Sequence, residues 1–195
     1  MPRIGVMALQ GDFALHLASL ARAGTEGVEV RRPDELADLD GLILPGGEST
    51  TLIRLLESSG LDVAIRDFVA ADRPVLATCA GLILLAREVL DPPQPSLGLL
   101  DVTVRRNAYG RQLDSFEADA PDPFDPSAPP LRLVFIRAPQ IDRMGPGVEP
   151  VLSHGGQVVM VRQGPILAAA FHPEMTDDPR IHAELIRRVE GDSEA

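Results

Sequence analysis

Four short apolar runs, at residues 3–8, 41–44, 74–78 and 166–170, constrain this chain most, because each ends in a turn carrying polar or reactive side chains. Helical patterns follow the first three. Asp12 can cap a helix running to about Arg22, with Gly24 near its end. Leu52, Leu55 and Leu56 recur at helical spacing within 50–60, and 61–71 and 81–90 read as further helices. Residues 28–31 supply another strand. Strand alternating with helix is the grammar of a parallel sheet with crossover helices. The second half reads differently. Residues 99–105, 112–117 and 133–136 are strand-like with no helix between them, and 157–162 with 166–170 form a hairpin around Gly164-Pro165. The Pro-rich stretch 118–130 reads as a surface loop, 180–189 as a closing helix and 191–195 as a frayed tail. The expectation is an α/β fold: a doubly wound, flavodoxin-like mixed sheet flanked by helices, with added antiparallel strands in the second half, forming one domain over 1–195. In such sheets ligands bind beyond the carboxyl ends of the strands.

Composition removes several classes of function. A net charge of −11 argues against nucleic acid, whose phosphates reward basic patches. All 18 basic residues are Arg, so a lysine Schiff base and a P-loop lysine are both impossible. The single cysteine forbids an internal disulfide, which makes a reducing cytoplasm the expected compartment. No window holds the roughly 18 consecutive apolar residues of a membrane span, and the apolar run at the start is too short for a signal peptide. The four histidines, His16, His154, His172 and His182, show no metal-ligand clustering, so no metal is expected.

That lone cysteine, Cys79, stands between the apolar run 74–78 and the helical pattern that begins at Gly81. A buried cysteine can be a small core filler. A cysteine on a sharp strand-to-helix turn can also be a nucleophile, since the turn lifts its side chain over the sheet edge and the helix N-terminus favours a thiolate. Ala77, Ala80 and Gly81 are the small neighbours such a turn needs. From this segment alone the two readings stand level. A cysteine nucleophile requires an imidazole, and the imidazole a carboxylate. Residues 166–178, ILAAAFHPEMTDD, offer both: His172 just past an apolar strand, and Glu174 two residues on. A single histidine is more often structural, but His-Pro-Glu directly after a buried strand shifts the balance. His16 and His182 are assigned to the first and last helices and His154 to a Gly-rich turn, with no chemical role. The turn 45-PGGES-49 ends another strand at the same edge. Its glycines let amides approach a ligand, and the alternative is a tight turn with Ser49 or Thr50 as a helix cap. The Ala80 amide is the natural second donor for an oxyanion.

Three separate segments thus converge, and the chain resembles the triad class of glutamine amidotransferases. Within that class it is most similar to the family of glutaminase subunits that serve pyridoxal 5′-phosphate synthases. The resemblance rests on 8-ALQGDFALH-16, 45-PGGESTT-51, 78-TCAGLILLA-86, 105-RRNAYGRQLDSFE-117, 135-FIRAP-139 and 171-FHPEMTD-177. It implies Cys79 as nucleophile with His172 and Glu174 as its relay. It implies L-glutamine bound by Gly47, Glu48, Ser49, Arg106, Ile136 and Arg137, and an oxyanion hole from the Gly47 and Ala80 amides. Gln10, a neighbour of the glycine turn by resemblance, is a candidate gate. The implied partner is a (β/α)8-barrel synthase subunit in a hetero-oligomeric complex, with no cofactor, nucleic acid or membrane involved. A rival within the class is a glutaminase serving another synthase; a rival outside it is a non-catalytic regulatory subunit. The chain departs from the family at Ala77, where glycine is usual, and at Met175, where leucine is usual. An alanine is tolerable at 77 if φ is negative there.

Overall fold

The computed structural model describes residues 1–106 and 115–191. The elements run in chain order as follows. The first half contains β1 (Ile4–Met7), α1 (Phe13–Arg22), β2 (Gly27–Val30), β3 (Gly41–Leu44), α2 (Ser49–Ser59), α3 (Leu61–Ala70), β4 (Val75–Thr78) and α4 (Ala80–Leu85). The second contains β5 (Ala86–Leu90), β6 (Leu100–Arg105), β7 (Ser115–Ala120), β8 (Leu131–Ile136), β9 (Gln140–Met144), β10 (Glu149–His154), β11 (Gln157–Gln163), β12 (Ile166–Ala169) and α5 (Arg180–Glu190).

The central sheet has the order β10-β11-β12-β4-β3-β1-β2. From β2 to β12 every pairing is parallel, and β11 and β10 add antiparallel strands at one edge. The five parallel strands, in order β2-β1-β3-β4-β12, make the doubly wound arrangement expected from the apolar runs. Period-2 alternation then builds two cores. Leu42, Leu44, Val75, Ala77, Ile166 and Ala168 face one layer with Leu52, Leu56, Ile65 and Phe68 of α2 and α3. Ile4, Val6, Ile43, Leu76, Leu167 and Ala169 face the other, against Leu20 of α1 and Ile181 and Leu185 of α5. Both faces are therefore dry, which is why these strands read as unbroken apolar runs.

Several expectations need correction. The helix expected over 81–90 stops at Leu85. The returning chain takes its last carbonyls, with Leu97 N–H donating to Leu84 O (2.7 Å) and Leu99 N–H to Leu85 O (2.9 Å). Ala86–Leu90 then pairs in parallel with β6, which pairs antiparallel with β9 to complete a separate three-stranded sheet. The strand expected over 112–117 is seen from Ser115, residues 112–114 lying outside the described residues. It continues to Ala120 and pairs with β8, so the Pro-rich loop starts at 121 rather than 118. That loop is anchored: Arg180 Nη1 reaches both Asp122 (2.9 Å) and Pro129 O (2.7 Å). Strands β9 and β10 were not anticipated, and His154 ends β10. Of the tail expected to fray, only Gly191 is among the described residues.

Candidate active site

Cys79 sits between the last residue of β4 and the first of α4, with φ +47° and ψ −102°. A β-carbon in that region is strained by about 1–3 kcal/mol, and such strain persists only where the surroundings fix it. Here they do. The Cys79 amide extends the β4–β12 ladder by donating to Ala169 O (2.9 Å). Two residues on, α4 lies so close to β3 that a β-carbon on Gly81 would come within 2.1 Å of Leu44 O. Ala77 lies in the strand and is not among the residues with positive φ, so its extra methyl is accommodated. The strain falls on the cysteine instead. Since α4 has only six residues, its dipole is a lesser aid to a thiolate than expected, and the imidazole becomes the main one.

His172 follows β12 and is held from the other side by β8, its amide donating to Val134 O (2.8 Å). Its Nδ1 lies 2.7 Å from Glu174 Oε1, and both side chains are buried. That bond leaves Nε2 as the free ring nitrogen; it is buried without a hydrogen-bond partner. Burial alone would lower the His172 pKa, but the neighbouring Cys79 and the bond to Glu174 outweigh it and raise the pKa to about 10. The ring is therefore held as an imidazolium beside the thiol. Above the thiol is the end of β8: Cys79 Sγ lies 3.9 Å from Ile136 O. Next to Ile136, Arg137 is exposed and takes φ +44°.

The third wall is the glycine turn. A β-carbon on Gly46 would meet His172 Cε1 at 2.6 Å, and one on Gly11 would come within 1.9 Å of Gly46 O, so only glycine fits at either position. Gly47 has φ +149°. Gln10 grips this turn by accepting from the Glu48 N–H (2.9 Å). Glu48, rather than Ser49 or Thr50, caps α2. Its carboxylate accepts from the Thr51 amide (2.8 Å) and from the Thr50 and Thr51 hydroxyls. These contacts, the Thr50 hydroxyl first, hold its pKa at about 2. Ser49 is buried and donates to Gln94 Oε1 (2.9 Å). Arg106 Nη2 is 3.6 Å from Glu48, while its Nη1 is buried without a partner among the described residues. The remainder of the Arg-Asn-Ala-Tyr-Gly stretch, 107–110, lies outside them.

Together these elements enclose a cleft of about 340 Å³ at the carboxyl edge of the sheet. Cys79 and His172 line it, as do Gln10, Gly47, Glu48 and Ser49. Arg106, Ile136 and Arg137 line it as well. Of the residues expected at the site, Ala80 begins α4, and Glu174 stands behind His172, out of the cleft wall. Asp12 occupies the cap position of α1, but its side chain makes no cap bond and lines the cleft instead. Asp12, His172 and Glu174 bring ligand-type atoms within 4.8 Å of one another, though His172 and Glu174 are already bonded to each other.

A family model, the SNO glutamine amidotransferase family, matches residues 6–191. The chain belongs to the SNO glutamine amidotransferase family. A protein from Acidothermus cellulolyticus named pyridoxal 5′-phosphate synthase subunit PdxT is 53% identical over 96% of this chain and 94% of its own. One of the same name from Mycobacterium avium is 51% identical over 97% and 98%. A crystal structure of a glutamine amidotransferase superposes with a TM-score of 0.89 at 45% identity, covering 96% of this chain and 98% of that one. A putative GMP synthase protein of Thermoplasma acidophilum, at 20% identity and a TM-score of 0.69, covers 98% of this chain and 93% of its own and shares the fold alone.

Around this amidotransferase site, sequence reasoning missed three polar residues behind Glu174. His16 of α1, His182 of α5 and Thr78 of β4 are fully buried and hydrogen-bonded to one another in a chain. The available signal was faint: His16 and Leu20 share the buried face of α1, and His182 lies among Ile181, Leu185 and Ile186.

Proposed function

We propose that this chain is the glutaminase subunit of a pyridoxal 5′-phosphate synthase, hydrolysing L-glutamine to L-glutamate and ammonia through Cys79, His172 and Glu174. The observation that carries the reading is the strained Cys79 beside His172, with Glu174 on the far ring nitrogen, all gathered at one small cleft. The Cys79 thiolate attacks the carboxamide carbon of glutamine. The Gly47 and Ala80 amides receive the oxyanion. His172, protonated at rest, gives its proton to the departing ammonia and leaves a glutamyl thioester. Neutral His172 then draws a proton from water, which attacks the thioester carbon and releases glutamate and the thiolate. Glu174 keeps the ring oriented and stabilises its charged form.

Arg106 is the natural partner for the substrate α-carboxylate, because its Nη1 has no partner among the described residues and it lines the cleft. Glu48 stays ionised and suits the α-ammonium group, while Ile136 and Arg137 also line the cleft. The chain acts as one domain over 1–195, in a reducing cytoplasm that keeps its single thiol free. Ammonia passes to a (β/α)8-barrel synthase subunit that carries out the condensation. The near 50% identity to proteins named as synthase subunits supports this partner over a synthase of another pathway. The test mixes the purified chain with the synthase subunit, then measures glutamate release. Turnover that rises with that subunit, and not with an unrelated barrel synthase, is the expected result. No release with any partner supports the non-catalytic alternative.

A further inference from the structure

Glu174 is only 1% exposed, and burying a carboxylate is costly unless both oxygens are served. Its Oε1 takes the His172 Nδ1–H at 2.7 Å. Its Oε2 has no hydrogen-bond partner among the described residues; His16 Nε2 stands 3.4 Å from it and is hydrogen-bonded to Thr78 Oγ1 at 3.2 Å. The other His16 nitrogen, Nδ1, is 2.9 Å from His182 Nε2. His182 Nδ1 is buried and has no partner among the described residues. His16 of α1 and Thr78 of β4 thus meet the chain's last elements, the segment after β12 and α5, in one buried polar file.

We infer that His16 and His182 are positioning residues for the glutaminase triad, forming a second relay that holds Glu174 from behind as His172 holds it in front. The proton positions follow from the chemistry of the end group. A carboxylate only accepts, so His16 must present Nε2–H to Glu174. Its Nδ1 is then a bare acceptor, and His182 must carry its proton on Nε2. In this arrangement His182 Nδ1 keeps a buried lone pair, and the long 3.4 Å approach of His16 Nε2 is what answers the otherwise unpartnered Glu174 Oε2. The reverse set of tautomers would place a lone pair against Glu174 Oε2 and bury an unpaired N–H.

Both histidines are neutral. Burial, then the neighbouring His182 and His172, keeps the His16 pKa well below its usual value. Burial, then Arg22, lowers that of His182 to about 4. The groups facing His16 are Thr78 from β4, His182 from α5, and Glu174 with His172 from the segment after β12. None is a permanent cation. Neutrality is what the position requires. An arginine there would pair with Glu174 and strip His172 of the charge that raises its pKa. A neutral donor fixes the carboxylate without competing for it. The segment leading into α1 also contributes Gln10 and Asp12 to the cleft, so α1 braces the site in front and behind.

This inference rests on the triad reading, so its test includes a readout that does not need glutamine. The pH profile of Cys79 alkylation by iodoacetamide reports the thiolate–imidazolium pair in the full chain; glutamate release with the synthase subunit reports turnover. His16→Leu should lower kcat by about 10- to 100-fold with KM within about twofold, the worth of one lost hydrogen bond to a charged group. It should also move the upper inflection of the alkylation profile to lower pH. His16→Gln, whose amide can still donate to Glu174, should recover most of both effects. If His16→Leu does not fold, His182→Leu breaks the file one step back and should shift both readouts the same way by less. Wild-type kcat and alkylation profile in a folded His16→Leu, or in His182→Leu where His16→Leu does not fold, would overturn the inference. So would a His16→Gln no better than His16→Leu. If the unsubstituted complex releases no glutamate, the function proposed above fails, while the alkylation profiles still decide the role of His16.

Discussion

The central sheet has a cleft at each end, and they differ in kind. The one at the amino edge, where Pro74 and Pro165 lead into β4 and β12, is the larger, about 540 Å³ against about 340 Å³. Its walls are charged and largely paired, Arg162 with Glu149 and Arg187 with Glu184, each at 2.6 Å, although Arg188 Nη1 has no partner among the described residues. Its positive-φ residue other than glycine is Asp72 (+57°), a residue type that tolerates this conformation in turns. At the carboxyl edge a cysteine is forced to φ +47°, an imidazole is driven to a pKa of about 10, and an arginine nitrogen has no partner among the described residues. Volume therefore does not mark the site. A strained cysteine and a displaced imidazole pKa do, because they persist only where packing enforces them.

The largest expected effect tests whether the strain serves the chemistry. Cys79→Ala should reduce glutamate release to background while leaving the fold and binding to the synthase subunit intact. Cys79→Gly should be equally inactive yet more stable than Cys79→Ala by about 1 kcal/mol, since glycine accepts positive φ without cost. Chemical denaturation and the turnover assay, run on both variants, separate the two contributions. Substantial turnover in either would sink the nucleophile assignment.

Next in size are the relay residues. His172→Asn should cost more activity than Glu174→Gln, because the imidazole moves protons and the carboxylate only holds it. Equal losses with parallel drops in melting temperature would make both residues structural. The same variant tests the pH linkage. The His172 pKa is raised above its usual 6.5 to about 10, so the folded state binds the proton more tightly than the unfolded chain. Its stabilisation is complete below about 6.5 and is lost as pH rises through about 10. The difference in melting temperature between wild type and His172→Asn should shrink across that window. A constant difference would mean that the ring is not held as an imidazolium.

The contrast between edges also explains what could be read in the sequence. In a parallel sheet the residues at the carboxyl edge directly follow apolar runs, so Cys79, His172 and the Gly46-Gly47 turn announce themselves by position. The position of Glu48 is equally legible, but its capping role depends on which way its side chain folds. The strand β5 reads as helix because Ala86–Leu90 continues a leucine-rich pattern; only its pairing with β6, beyond a loop, overrides that propensity. His16 and His182 are invisible for a related reason. Each is an ordinary histidine on the buried face of an amphipathic helix, and they lie 166 residues apart. Their chemistry exists only once α1 and α5 pack on the same face of the sheet.

A mid-sized effect is expected at Gln10. It accepts from the Glu48 amide and lies 2.8 Å from where a Gly47 β-carbon would stand, so it fixes the peptide that follows Gly47. Losing one oxyanion donor costs on the order of 100- to 1000-fold in rate, and a misaimed Gly47 peptide would forfeit part of that. Glutamine hydrolysis without a waiting partner wastes substrate, which favours a turn completed only on docking. The isolated chain should then be slow and the complex fast, and Gln10→Ala should lower the stimulated rate more than the isolated one. Equal rates for chain and complex would defeat this gating and leave the triad untouched.

The smallest expected effect lies at the opposite edge, where Arg188 of α5 sends Nη2 to Gly164 O at 2.6 Å. Burial, the largest influence on it, lowers its pKa, and its Nη1 has no partner among the described residues. The side chain is therefore a strut between the end of α5 and the turn entering β12. Arg188→Ala should cost about 1 kcal/mol, from one hydrogen bond and the packing of its stem. It should leave kcat and KM within about twofold, because β12 transmits no freedom along its length: Ala168 and Ala169 pair with both β4 and β11. Denaturant melts and the turnover assay decide it. A loss of activity larger than the loss of folded protein would mean that the two edges are coupled through β12, and that the amino-edge cleft belongs to the working site after all.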